Sequence, residues 1–324
     1  MKILVTGGAG YIGGTVTQLL LDRGHSVVVY DNLCHGERSM VPAGATFIEG
    51  DVADSKRLEA LFADGSFAGV MHFAALIEAG ESMQKPELYF RNNTAATLGL
   101  LEAMVKKKLS RLVFSSTAAV YGEPLSTPIA EDAALLPTNA YGESKLLVEQ
   151  MLSWIHRVHG LRYASLRYFN VAGAIPGRGE AHEPESHLIP LILDVALGRR
   201  KSIKIFGQDY PTADGTCIRD YIHVSDLAEA HLLAFTALDA HDRMIYNLGN
   251  GHGFTVLEVI ESVRRVTGHP IPVEEMPRRP GDPATLIASS AKIENDLGWK
   301  PKYTQIDDIV RSAWEWHQLR YRRE

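Results

Sequence analysis

The chain has 324 residues, of which 45% are hydrophobic and 22% charged, with a formal net charge of −6 at neutral pH. That length can bury a large core, as one catalytic domain with a second lobe, and the acidic balance offers no electrostatic reason to bind nucleic acid. No run is apolar enough to span a bilayer, and no secretory leader precedes the first apolar segment. Cys34 and Cys217 are the only cysteines, too few for a disulfide framework or a cysteine-rich zinc site. A soluble cytoplasmic enzyme with no metal is expected.

In chain order, residues 2–6 form an apolar run of strand length. Gly7-Gly8-Ala9-Gly10-Tyr11-Ile12-Gly13 follows, and then the apolar stretch 16–21. This reads as strand, glycine turn, helix. Gly7, Gly10 and Gly13 fit a spacing in which small residues let backbone N–H groups approach a pyrophosphate at the positive end of the helix dipole. Tyr11 and Ile12 would present those N–H groups; the bland alternative is a glycine turn with no ligand. Residues 25–30 are a second strand ending at Asp31, where a dinucleotide fold needs an acid to accept from the adenosine ribose. A carboxylate there repels a 2′-phosphate, which favours NAD over NADP.

Residues 45–48, 69–73, 111–115 and 162–167 are further strand candidates alternating with helical patterns, the signature of a doubly wound α/β sheet. Asp51 follows the third strand and suits an adenine amino group, or caps the Ser55 region. Phe73-Ala74-Ala75 follows the fourth, at a strand carboxyl end where such sheets bind ligands. Asn92, in the helical pattern 86–106, is either an ordinary polar residue or a brace for a loop under a cofactor. The fifth strand ends in Ser115-Ser116-Thr117, hydroxyls able to reach a substrate alcohol. Tyr141 and Lys145 lie four apart in the helix-favouring run 140–157 and so share a face. A neighbouring ammonium is expected to lower a phenol pKa that is ordinarily about 10.

With these groups in this order, the chain resembles the extended short-chain dehydrogenase/reductase family over nearly its whole length. Arg167-Tyr168-Phe169-Asn170, His187-Leu188-Ile189-Pro190, Phe206-Gly207-Gln208-Asp209-Tyr210, the stretch 214–224 and the stretch 277–282 narrow the resemblance to the nucleotide-sugar branch. The resemblance implies a Rossmann-like NAD-binding domain over 1–170, to which about 222–250 returns, and a smaller, mainly UDP-sugar-binding lobe over 171–324. It implies NAD held by Gly7, Gly10, Tyr11, Ile12, Gly13, Asp31, Asn32, Asp51, Val52, Phe73, Ala74, Ala75, Asn92, Ser115, Tyr141, Lys145 and Phe169. It implies a UDP-sugar held by Thr117, Asn170, His187, Leu188, Lys204, Ile205, Phe206, Arg219, Arg279, Asp282 and Leu286. Guanidinium forks at Arg219 and Arg279 suit a diphosphate. Without the family, Arg219-Asp220 and Arg278/Arg279 would read as surface ion pairs.

The activity implied is inversion at sugar carbon 4, interconverting UDP-galactose and UDP-glucose in galactose metabolism through a 4-keto sugar and transient reduction of NAD. Tyr141 would take the 4-hydroxyl proton, Lys145 would keep the phenol acidic and bond the nicotinamide ribose, and Thr117 would share a hydrogen bond at that hydroxyl. Three positions depart from the family pattern. Thr117 often is serine, Ile77 stands where some members carry lysine, and His187 replaces a common asparagine but can still donate one hydrogen bond. Leu286, intermediate in size between the family's tyrosine and small residues, predicts some activity on N-acetylated UDP-sugars. A 4,6-dehydratase would need an acid and a base where Ala118-Ala119 stand. Another nucleotide-sugar epimerase and a non-catalytic dinucleotide-binding regulator are the remaining alternatives. The resemblance also implies a homodimer through 86–106 and 140–157. The helical patterns beginning at Ser225 and over 256–266, with Trp314 and Trp316, read as scaffold.

Overall fold

Aliphatic runs such as Ile3-Leu4-Val5 and Val27-Val28-Val29 have no polar alternation, and they form strands buried on both faces. The structure, a computed structural model, describes residues 1–63, 66–279 and 282–321. Pro280 and Gly281 of the 277–282 motif lie outside the described residues.

The central sheet contains β1 (Lys2–Thr6), β2 (Ser26–Asp31), β3 (Thr46–Glu49), β4 (Phe67–His72), β5 (Arg111–Thr117), β6 (Arg162–Tyr168) and a seventh strand, Arg243–Leu248. Their order across the sheet is Arg243–Leu248, β6, β5, β4, β1, β2, β3. β1 pairs in parallel with β2 and with β4, β2 with β3, and β4 with β5. The order reverses between β1 and β4, and at such a switch point the strand carboxyl ends open a crevice for ligands. The expected doubly wound Rossmann-like sheet is present.

The chain divides into two compact units. The first comprises Met1–Gly122, Ala134–Arg167 and Ala228–Tyr246, and the second Glu123–Ala133, Tyr168–Leu227 and Asn247–Glu324. The core of the first includes Leu4, Val28, Val70, Leu100, Phe114, Val148 and Leu152, where strands and helices present apolar residues to one another. In the second, the helices Leu188–Ala196, Val256–Thr267 and Ile306–Tyr321 contribute Ile189, Ile192 and Leu193, then Val259, Ile260 and Val263, then Ile309, Val310 and Ala313. Their three- and four-residue spacing makes one apolar stripe per helix. Thr255 opens the Val256–Thr267 helix with a capping box, and Gly268 closes it at φ 72°. Trp314 and Trp316 are buried, as scaffold residues should be.

The helical pattern 86–106 is not one uniform helix. It runs as Pro86–Tyr89, a wider π turn over Phe90–Ala95, and Ala96–Lys106. Among the described residues no helix is long and apolar enough to cross a membrane.

Candidate active site

The glycine turn is built by close approach. Gly7 has φ 72°, and a Cβ there would lie 2.6 Å from the Ala74 nitrogen; one on Gly13 would lie 2.3 Å from the Gly7 carbonyl oxygen. Neither position admits a side chain. The Tyr11–Asp22 helix then starts after Gly10 with no side chain capping its first N–H groups and no acid in its first turn. Asp31, buried at the end of β2, accepts from the backbone N–H groups of Ala9 (3.0 Å) and Leu33 (2.8 Å). The Ala9 bond ties the acid to the glycine turn, and the Leu33 bond fixes it to the chain that follows β2. Asn32, Glu49, Gly50, Asp51 and Arg57 line a cleft of about 440 Å³ in the same unit. Asp51 accepts from Asn32 Nδ2 and Ala53 N–H, both at 2.8 Å. The cap on the Ser55–Leu61 helix is Asp54 instead, which accepts from Arg57 N–H at 3.0 Å. An uncapped helix start, a fixed acid and an adjoining polar cleft fit a dinucleotide. Val52 enters the first unit's core, which leaves its backbone as the part that could meet a ligand.

Tyr141, Lys145 and Thr117 come together. The Ala140–His159 helix is capped by Asn139, whose side chain accepts from Gly142 N–H. This helix brings the Tyr141 phenol to hydrogen-bond with Thr117. Lys145 Nζ donates to the Ser115 carbonyl oxygen at 2.9 Å and sits 5.0 Å from the centre of the Phe114 ring. The expected electrostatics need correction. Burial raises the Tyr141 phenol above its ordinary value, the Thr117 hydrogen bond partly offsets this, and the Glu78 charge raises it further. Burial pulls Lys145 down to about 7. Removal from water dominates both groups, and it penalises the charged form of each.

Three polar networks behind this pair escaped the sequence reading. Glu149, one turn beyond Lys145, accepts from Ser116 Oγ (2.5 Å) and takes a two-pronged bond from Arg167 Nε (2.9 Å) and Nη2 (2.5 Å). Arg167 Nη1 also donates to the Tyr121 hydroxyl at 2.8 Å. The position of Glu149, eight residues after Tyr141 on one helix face, was the available signal. The brace expected of Asn92 belongs to Asn93. Its amide accepts from Leu76 N–H (2.9 Å) and donates to the Leu76 carbonyl (2.9 Å) and Ser144 Oγ (3.1 Å), while Asn92 donates to Asn93 itself. His72, buried at the end of β4, bridges Thr6 Oγ1 (2.6 Å) and Thr97 Oγ1 (2.8 Å).

In the second unit, Arg219 is paired with Asp282 and donates to the Ile218 carbonyl at 2.7 Å. Arg279 lies 4.0 Å from the centre of the Phe206 ring, and Arg278 stacks on Tyr210 and pairs with Asp209 at 2.6 Å. Arg219, Arg279, Asp282 and Phe206 are thus linked in pairs. Leu286 pairs in parallel with Arg219, and its carbonyl accepts from Asp220 N–H at 3.1 Å. Ile205 belongs to the apolar core, so its side chain is not available to a ligand, while Lys204 is exposed beside it. The Asn170 side chain is exposed, and its N–H donates to the Asp220 carbonyl; the Phe169 ring is buried. His187 precedes the Leu188–Ala196 helix, with Nδ1 2.8 Å from Glu185 Oε1.

Comparison with known proteins places these features in context. The profile described as "NAD dependent epimerase/dehydratase family" matches residues 3–249. A UDP-glucose 4-epimerase of Streptomyces lividans is 55% identical over 317 residues, covering 98% of this chain and 96% of that protein. A crystal structure of a UDP-glucose 4-epimerase superposes with a TM-score of 0.96 at 51% identity, covering 98% of each chain. The UDP-glucose 4-epimerase of Bifidobacterium longum, solved in complex with NAD+ and UDP, superposes at 0.94 with 40% identity and 99% of each chain covered.

Proposed function

The chain belongs to the NAD-dependent epimerase/dehydratase family, and we propose that within it the protein is a UDP-glucose 4-epimerase, interconverting UDP-galactose and UDP-glucose through a 4-keto sugar. The observation that carries this reading is the meeting of Tyr141, Thr117 and Lys145 at the carboxyl end of β5. Ala118 and Ala119 follow directly, where a dehydratase needs an acid and a base.

As phenolate, a form that the positive charges of Lys145 and of bound NAD would favour against burial, Tyr141 takes the proton of the sugar's 4-hydroxyl and returns one to the inverted alcohol, while Thr117 shares the hydrogen bond at that oxygen. NAD, when bound, supplies the two-electron acceptor and donor at carbon 4, so no net oxidation results. The turn after Gly7, the Asp31 carboxylate, Asn32 and Asp51 are the groups this reading assigns to holding it, with Phe73, Ala74, Ala75 and Lys145. Arg219, Arg279, Asp282, Phe206 and the backbone at Leu188 are assigned to UDP. The chemistry needs the sugar to turn over its other face between the two half-reactions, so firm UDP binding and loose sugar binding are required together. Arg219 must then exchange its Asp282 partner, in whole or part, for phosphate oxygen.

Incubating the purified protein with UDP-galactose and no added reductant, followed by chromatography of the UDP-hexoses, tests this reading. Wild type should form UDP-glucose, and Tyr141→Phe should be slower by at least about 100-fold, the low end of general acid–base contributions. An unchanging hexose mixture from wild type would sink the reading. The same assay with UDP-N-acetylglucosamine tests Leu286 as the gate for the 2-substituent: Leu286→Tyr should lose N-acetylated turnover relative to UDP-glucose, and an unchanged ratio would remove the gate.

The same reading makes the protein a cytoplasmic enzyme of galactose metabolism and a homodimer. Two unlinked cysteines support the first, and the exposed Trp154 and Val158, one turn apart on the Ala140–His159 helix, support the second.

A further inference from the structure

We propose that Glu180, His182 and His187 form a divalent-metal site, best matched to zinc, on the turn that leads into the Leu188–Ala196 helix. Among the described residues they are a group whose ligand atoms all lie within 4.8 Å of one another. Glu180 Oε1 is 2.5 Å from His182 Nδ1, and Glu180 Oε2 is 4.0 Å from His187 Nδ1. The two imidazole rings are 5.8 Å apart, and Glu185 Oε1, outside that group, stands 2.8 Å from His187 Nδ1. Four atoms bonded at about 2.0–2.2 Å to one tetrahedral ion lie roughly 3.4 Å apart. The observed separations fall on either side of that value and need small side-chain rotations.

The turn holds the carboxylate in place. Glu180 Oε1 accepts from the N–H groups of Ala181 (2.8 Å) and His182 (3.1 Å), while the Glu180 carbonyl accepts from Trp316 Nε1 at 2.8 Å. The Glu180 side chain is only 12% exposed. Two imidazole nitrogens with carboxylate oxygen suit zinc; magnesium and calcium favour shells built mainly of oxygen. The competing arrangement is a pair of metal-free histidine–carboxylate bonds. In it each imidazole has its own carboxylate, Glu180 for His182 and Glu185 for His187, and the two pairs stay 4.0 Å apart at Glu180 Oε2 and His187 Nδ1. A bound dication joins all the donors instead. Neither Glu180 nor His182 has a part in the catalytic reading above; His187, which the family resemblance places at the UDP-sugar, is shared, and the metal would fix the turn that carries it.

The test uses full-length protein carrying Cys34→Ser, which removes the exposed thiol as a rival ligand. Protein stripped with a chelator is titrated with Zn²⁺ alone against a chromophoric competitor, and the metal content of untreated protein is measured by elemental analysis. The expected result is one zinc per chain, weakened by more than about 100-fold in His182→Phe, beyond what loss of a group behind a ligand costs. Cobalt should give a four-coordinate absorption spectrum in the parent protein and not in this variant. Circular dichroism confirms that His182→Phe is folded, and Glu180→Gln provides a second variant. No stoichiometric zinc at micromolar free metal, or unchanged affinity in folded His182→Phe, overturns the proposal. Turnover is not a readout, so failure here leaves the epimerase reading untouched, and the reverse holds too.

Discussion

Tyr141 and Lys145 show what four-residue spacing can and cannot say. It put them on one helix face, and the structure brings both to the end of β5. Their protonation follows from burial, which moves the phenol up and the amine down to about 7. Lys145 therefore makes the folded protein more stable as pH rises from about 7 toward the ordinary lysine value near 10.4, because only the unfolded chain holds that proton in this window. His72 acts on the acid side. Burial, joined by the Lys145 charge, lowers it to about 3. The folded chain refuses a proton that the unfolded chain accepts below about pH 6.5, so stability present above that pH is lost as the pH falls toward 3. The full effect is of order 5 kcal/mol. Melting temperatures should fall more steeply from pH 6.5 to 4.5 in wild type than in His72→Met, even though the variant starts lower for want of two threonine hydrogen bonds. Parallel slopes would show that His72 does not carry the acid sensitivity.

At the scale of elements, the Ala140–His159 helix sets its face against the end of β5 through three residues at four-residue intervals. Tyr141 meets Thr117, Lys145 meets the Ser115 carbonyl, and Glu149 meets Ser116 while holding Arg167. Arg167 and Glu149 have side chains only 2% and 5% exposed, so each needs the other. Burial works against the Arg167 charge, but the Glu149 hydrogen bond and charge outweigh it and raise its pKa. Glu149→Gln should lower unfolding stability by roughly 3–5 kcal/mol, the loss expected when a buried charge is left unpaired. Glu149→Leu combined with Arg167→Met should recover most of that loss in urea titrations. Equal destabilisation of the single and double variants would mean that the pair is not what the helix depends on. The π turn over Phe90–Ala95 carries a related lesson: of two adjacent asparagines, the wide turn coincides with Asn93 being the buried one.

For the molecule as a whole, the proposed dimer rests on exposed apolar surface. Trp154 and Val158 are 64% and 68% exposed although they adjoin on one helix face, where a solvated helix would carry polar residues. Light scattering should find a dimer for wild type and a monomer for Trp154→Glu combined with Val158→Glu; a monomeric wild type would end the proposal. By itself the sequence determined six of the sheet's seven strand segments, all but Arg243–Leu248, together with the glycine turn, the acid that ends β2 and the Tyr141/Lys145 spacing. These are local patterns of two to seven residues whose physics is complete within the segment. Only the tertiary structure decided which asparagine braces the Leu76 backbone and how the buried groups hold their protons. It also decided that Arg219 pairs with Asp282, 63 positions away, and that Glu180, His182 and His187 gather on one turn. Those features depend on burial and on partners brought together by folding, and side-chain spacing along the chain encodes neither.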